Sequence, residues 1–387
     1  MVLTYFDAFS IIETNMPFAT SRWKVKAGVA ALAVFTVLAT VGCRQASDLD
    51  ERPASPSPSP SAPESAIAGA GSTFVAPLMS AWISGYQQTH PKVVVNYTPV
   101  GSGAGIDQFK KGWLGFAASD APLSDEQVKE ISATIQVPAT AGPVCIIYNL
   151  PNLNQPLRLS SQSLAGIYSG RIISWQDPDI ARDNPGARLP KSAVIVVHRS
   201  DGSGTTNVLT TYLSKVDRDW SWKSGHGLSV TWPIGLGADG SKGVLSVVKQ
   251  TTGTIGYLEL NYAKENGVPV AAIRNRAGEF VAPTPETAAA AIEAFKEDLG
   301  KDVRAPIVDP PASATEAYPI AGFTFLLIPK DRPTRDEQMA VRDFVAYAIS
   351  TGQDSAERLS YAKMPPSVQQ KAQEVLAQLT VNGQPLK

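Results

Sequence analysis

Histidine and cysteine are scarce in this 387-residue chain, which has three of the first and two of the second. No His-x-x-x-His spacing or Cys/His cluster occurs, so no metal site of familiar spacing is offered. No Gly-x-Ser-x-Gly turn is present, which removes the nucleophile elbow of the serine hydrolases. Surplus charge is lacking as well. The 34 basic and 35 acidic residues leave a net charge of -1, which excludes a broad basic face for nucleic acid. The apolar run Ala27 to Val41 is short for a membrane span, which needs about 20 residues.

That run instead follows Arg22, Lys24 and Lys26 and ends in Thr40-Val41-Gly42-Cys43, the basic and apolar regions of an export signal over residues 1–42. Met16 is an alternative start, since residues 1–15 look like no basic region. A cysteine after a small residue at this point resembles the lipobox of bacterial lipoproteins, with Cys43 as the lipidated first residue of the mature chain. Thr40 departs from the aliphatic residue usual three places before it. Residues 43–65 then form a tether, because Pro53 to Pro63 alternates proline with small residues, favours extended conformations and packs no core. With Cys43 acylated, Cys145 has no partner, and its apolar strand context makes it a buried thiol.

The whole chain is 43% hydrophobic and 18% charged, an ordinary globular composition, and what remains is long enough for two domains. Apolar strand patterns alternate with helical spacing. Ala66 to Gly71 leads into Ser72-Thr73-Phe74 and a helix carrying Val75, Leu78, Met79, Trp82 and Tyr86. Val93 to Tyr97 leads into Gly101-Ser102-Gly103 and a helix with Ile106 and Phe109. Gly115 to Ala118 ends in Ser119-Asp120-Ala121-Pro122, and Ser124 with Gln127 predicts a capping box. Ala193 to Val197 leads into Arg199-Ser200-Asp201-Gly202-Ser203-Gly204-Thr205-Thr206 and a helix with Val208, Leu209, Tyr212 and Leu213. Thr284-Pro285-Glu286 predicts a helix that Gly300 ends. The alternation predicts a mostly parallel α/β sheet, with ligands at the carboxyl ends of the strands.

The Gly/Ser/Thr turns fall at such ends. A helix start exposes N–H groups and the positive end of a dipole, and small residues let an oxoanion approach the backbone. Arg199 adds a forked charged donor. Taken singly, such turns are ordinary helix caps, and their repetition at equivalent positions is what points to an anion cradle. A nucleotide loop is excluded by the absence of a Gly-Lys-[Ser/Thr] ending. His198 adjoins Arg199, yet neighbours on a strand face opposite sides. His90 and His226 read as structural or solvated. Asp120 reads either as a turn aspartate or as a selectivity element. A carboxylate in the cradle repels an anion unless that anion carries a proton to donate, and phosphate keeps one near neutral pH whereas sulfate does not. Asp201 is placed to orient Arg199 by a salt bridge.

These motifs, with Trp232-Pro233-Ile234-Gly235-Leu236-Gly237, Gly253-Thr254-Ile255-Gly256-Tyr257 and Tyr318-Pro319-Ile320, resemble in order those of the phosphate-binding proteins of bacterial high-affinity phosphate ABC transporters. The resemblance runs from about Ala66 to the end. It implies an α/β, two-lobed periplasmic-binding-protein fold of the type II-like, crossed-over kind with the ligand in the interlobe cleft, residues 66–149 plus 318–387 forming one lobe and 150–317 the other. It implies phosphate contacts from Thr73, Phe74, Ser102, Asp120, Arg199, Ser203, Gly204 and Thr205, with Asp201 holding Arg199 and no metal or cofactor. The function implied is capture of inorganic phosphate outside the cytoplasmic membrane, in the periplasm or at the outer face of the cell membrane. An exported, lipid-anchored monomer would deliver it, without chemical conversion, to a permease with its ATPase. Gly103, Ala104 and Ser241 depart from the family's usual residues; Ser241 stands where Asn is common, which bears on affinity. The alternatives are a carrier for another tetrahedral oxoanion and an exported phosphatase or phosphate sensor on the same fold.

Overall fold

The computed structural model describes residues 65–131 and 133–386. The export signal, Cys43 and the tether predicted from the sequence lie outside the described residues. The first strand group is β1 (Ser65–Gly71), β2 (Val93–Thr98) and β3 (Phe116–Ser119), alternating with α1 (Ala76–Thr89) and α2 (Ser102–Lys110) and followed by α3 (Asp125–Glu130). The long β4 (Thr134–Tyr148) leads to β5 (Arg158–Leu159), α4 (Ser161–Tyr168) and α5 (Pro178–Asp183). A second group follows: β6 (Ile195–Arg199), α6 (Gly204–Val216), α7 (Arg218–Lys223), β7 (Leu236–Ala238), α8 (Gly240–Gln250), β8 (Thr254–Glu259) and α9 (Leu260–Glu265). After β9 (Ala272–Arg274), β10 (Phe280–Val281), α10 (Pro285–Ala294) and α11 (Lys296–Lys301), the chain returns through β11 (Ala321–Pro329). It closes with β12 (Asp331–Arg332), α12 (Arg335–Ala348), α13 (Pro366–Leu376), β13 (Thr380–Val381) and β14 (Gln384–Pro385).

One eight-stranded sheet runs β2-β1-β3-β11-β4-β8-β6-β7. Its two flanks are parallel, β2-β1-β3 and β8-β6-β7. The centre is antiparallel, because β11 opposes both β3 and β4, and β4 opposes β8. The sheet is therefore mixed where a mostly parallel one was expected, and the reason is the two long strands that join the groups. β4 pairs with β11 as far as Pro143 and with β8 from Val144 onward. Because β3 runs with β4 and β8 and β6 run against it, the carboxyl ends of the two parallel groups face each other across this handover. The register of β4 against β11 shifts between Thr324 and Phe325. The residue left over opposite that shift is Ala139, next to Pro138, which has no N–H to give a ladder. Gln353 donates to the Ala139 carbonyl at 2.8 Å, so the bulge is satisfied.

Helices cover the sheet and bury Trp82 and Tyr86 of α1 and Phe344 of α12 against it, beside Phe116 of β3. A smaller cluster around Cys145, Val197, Val244, Val248 and Leu258 fills the second group. Cys145 is buried there as a free thiol, and burial pushes its pKa well up. The predicted capping box at Ser124 and Gln127 is present. The helix opening at Thr284 departs from expectation. Thr284 and Pro285 start it as predicted, but it stops at Ala294, Phe295 leaves the helical conformation, and Gly300 lies inside α11 rather than ending a single helix. Phe295 packs on the core and carries the Lys215 ammonium over its ring, which holds the break in place. No helix among the described residues is long and apolar enough to cross a membrane.

Candidate functional site

The strand ends that face each other carry the residues singled out from the sequence. From β6, Arg199 is 4% exposed and donates through Nε to Asp201 Oδ1 at 2.6 Å and through Nη2 to Oδ2 at 2.5 Å. Gly240 N–H also donates to Asp201, at 3.1 Å. Burial disfavours both charges, but the fork between them outweighs it, holding the guanidinium above its ordinary value and the Asp201 carboxyl below its own. The pair fixes the plane of Arg199 and leaves Nη1 facing Ser241 Oγ at 3.4 Å. The Arg199 backbone N–H is held by Tyr257 Oη at 3.0 Å, and that hydroxyl lies 2.6 Å from Thr206 Oγ1.

Asp120 follows β3 and is 5% exposed. Ser72 Oγ lies 2.6 and 2.7 Å from its two carboxylate oxygens, and Thr324 Oγ1 donates to Oδ1 at 2.7 Å. Its own N–H donates to Ser102 Oγ at 3.3 Å. Burial raises its pKa to about 6, against the hydrogen bonds of Ser72, Thr324 and Ser102 and the charge of Arg199. This is a carboxylate kept as an acceptor in a nearly dry place, and hydroxyls alone are not enough to return its pKa to the usual range.

The helix starts converge on the same point. Ser203 caps α6 by accepting from Thr206 N–H at 3.1 Å. Gly204 lies against Asp120, where a Cβ would stand 2.5 Å from the Asp120 Cβ. Gly101 holds φ +87°, and a Cβ there would stand 2.4 Å from Asp201 Oδ2, so both the conformation and the close approach call for glycine. Thr73 Oγ1 is 2.9 Å from Ser241 Oγ, and Gly103 N–H donates to Gly202 O at 2.8 Å, two polar contacts between the strand groups. Phe74 packs edge-on against Tyr361, whose hydroxyl donates to its carbonyl at 2.5 Å. Thr205 Oγ1 is buried and makes no hydrogen bond among the described residues. A buried hydroxyl of this kind is costly unless something else meets it.

Thr73, Phe74, Ser102, Asp120, Arg199, Ser203, Gly204 and Thr205 are thus gathered at one place, with Asp201 behind Arg199. Ser72, Thr324, Glu259 and Tyr257 belong to the same network and were not singled out from the sequence. The one available signal was a polar residue interrupting or ending an apolar strand, as Thr324 and Glu259 do. His198 turns away as expected, stacking on Trp232 with centroids 4.8 Å apart. No group of three His, Cys, Asp or Glu suited to a metal occurs among the described residues. Beside the cluster opens a cavity of about 680 Å³ whose mixed lining includes Leu123, Val208, Phe323, Asn207, His226 and Arg304, and which shares only Asp120 with the predicted residues. The arrangement can encircle a small anion with neutral donors, one charged fork and one acceptor.

Residues 57–351 match the model of a PBP superfamily domain. The chain is 37% identical over 350 residues to the phosphate-binding protein PstS of Xylella fastidiosa (strain Temecula1), covering 88% of this chain and 95% of that one. It is 40% identical over 311 residues to PstS of Pasteurella multocida (strain Pm70), covering 79% and 88%. A solved phosphate-binding protein from Stenotrophomonas maltophilia superposes with a TM-score of 0.60 at 18% identity, covering 80% of this chain and 93% of that one, a likeness of fold.

Proposed function

The chain belongs to the PBP superfamily and, within it, to the PstS phosphate-binding proteins, and from that premise we propose that it captures inorganic phosphate outside the cytoplasmic membrane and hands it to an ABC transporter. In this reading residues 66–149 with 318–387 form one lobe and 150–317 the other, and β4 and β11 are the crossing strands between them. Thr73, Phe74, Ser102 and Asp120 meet the anion from the first lobe. Arg199, Ser203, Gly204 and Thr205 meet it from the second. Ligand then favours the closed state by bridging both. No chemical step follows; the partners are a permease and its ATPase, and the protein is an exported monomer attached to the membrane through lipid on Cys43.

The observation that carries the reading is Asp120. A buried acceptor beside a charged fork accommodates an oxoanion only when that oxoanion brings a proton, and phosphate does so at neutral pH. Calorimetric titration of protein stripped of phosphate tests it. Tight one-to-one binding of phosphate with sulfate ignored is expected; equal binding of sulfate would overturn it.

A further inference from the structure

Glu259 ends β8 and is 1% exposed. Its Oε2 lies 3.0 Å from Ser241 Oγ, and its Oε1 is buried without a partner among the described residues. Ser241 Oγ also stands 2.9 Å from Thr73 Oγ1 and 3.4 Å from Arg199 Nη1. The hydroxyl has one proton and two lone pairs for these three neighbours.

The guanidinium only donates, so one lone pair of Ser241 belongs to Arg199. An ionised Glu259 only accepts and takes the single Ser241 proton. Ser241 must then accept from Thr73, whose proton points away from the anion. A protonated Glu259 reverses the chain. It donates to Ser241, Ser241 donates to Thr73, and the Thr73 proton is free for an anion oxygen. We infer that Glu259 is a positioning residue for anion capture, acting through Ser241 on the direction of the Thr73 hydroxyl, and that binding draws one solvent proton onto its carboxyl. The inference rests on the phosphate reading of the site.

The surroundings suit a neutral carboxyl. Burial pushes Glu259 up to about 8, opposed by its own backbone N–H, the Arg199 charge and the Ser241 hydrogen bond, with the Asp120 charge adding to the rise. The titratable groups facing it are Arg199 from β6, Asp120 after β3, Cys145 from β4, Tyr262 from α9, and Tyr361. Burial raises Cys145, Tyr262 and Tyr361, and Asp120 is already ionised above about 6. Between about pH 8 and 9.5, Glu259 is then the group among them that changes charge, while phosphate in solution stays the monoprotonated dianion.

Phosphate titrations of the stripped protein across that window, in paired buffers of different ionisation enthalpy, test the relay. For the native protein, affinity should fall about tenfold per pH unit above about 8, with about one proton taken up per phosphate near the top of the window. In Glu259→Gln the amide N–H donates to Ser241 at every pH, so the slope and the proton uptake should vanish. Ser241→Ala, which keeps the carboxyl but cuts the relay, should flatten the slope as well. It also decides the matter if the glutamine variant does not fold. A native affinity that is flat across the window, or a glutamine variant that falls like the native protein, would overturn the inference. So would an alanine variant with the full native slope, since plain charge repulsion would then explain it. Absence of phosphate binding by the native protein at pH 7.5 would instead sink the phosphate reading beneath it.

Discussion

Replacing Asp120 by asparagine separates what the carboxylate costs the fold from what it does for the ligand. In the ligand-free protein its pKa stands at about 6 against an ordinary 3.8. A pKa raised by folding means that the native state binds the proton more tightly than the unfolded chain. Stability is therefore greatest below the unfolded pKa and is lost as pH rises through 3.8 to about 6. At about 1.4 kcal/mol per unit, the loss approaches 3 kcal/mol by neutral pH, a ceiling that opening of the site and hydration of the carboxylate would lower. Asp120→Asn removes the titration while keeping the shape. Urea unfolding of the ligand-free proteins should show the variant gaining on the native protein between pH 4 and 7, by about 2–3 kcal/mol. Calorimetry should show the opposite for function. Phosphate affinity should fall about 10- to 100-fold for one lost charge-assisted hydrogen bond, and sulfate should gain because its unprotonated oxygens now meet an amide N–H. A stability gap that does not change with pH, or a variant that still excludes sulfate, would refute the reasoning.

Arg199→Lys keeps the charge but loses the fork to Asp201, so phosphate affinity should fall about a hundredfold by calorimetry while the far-ultraviolet spectrum stays native. Gly204→Ala puts a Cβ 2.5 Å from the Asp120 Cβ, at a helix start that tolerates alanine. It should weaken phosphate binding tenfold or more while the melting temperature holds, because the collision arises only where the two strand groups meet. Tyr257→Phe strips the partner from the Arg199 N–H at 3.0 Å and from Thr206. Urea unfolding should register a loss of about 1–3 kcal/mol for the donor left bare.

Local patterns were legible in the sequence wherever one element explains itself. Helical spacing from Val208 to Leu213, the Ser124 box and the small-residue turns after β1, β2 and β6 needed nothing beyond neighbouring residues, and these place most of the site. Partners remote in sequence were not legible. Ser72 reaches Asp120 across 48 residues and Thr324 across 204, and a single sequence gives no means of pairing them. Strand direction suffered in the same way: β4 and β11 look like any apolar strand, and their length and antiparallel pairing appear only once both neighbours are known. Gly300 shows the opposite case, in which a sound local stop signal is overridden five residues earlier by the packing of Phe295.

The direct hydrogen bonds that join the two strand groups at the site are Thr73 with Ser241 and Gly103 with Gly202. Each is worth about 1 kcal/mol net, since water can replace either partner when the groups part. Against them stands the burial of an ionised Asp120, for which about 3 kcal/mol at neutral pH is the ceiling. The comparison decides which effect holds the site shut: the direct contacts roughly cancel the carboxylate, so an anion that bonds to both groups tips the balance. Protonating Asp120 removes the opposing side of that balance without any ligand. Small-angle scattering of phosphate-free protein should therefore show a smaller radius of gyration at pH 5 than at pH 8, and Asp120→Asn should show the smaller value at both. Identical radii at the two pH values in the native protein would mean that the direct contacts suffice, and that the anion fills a site already closed.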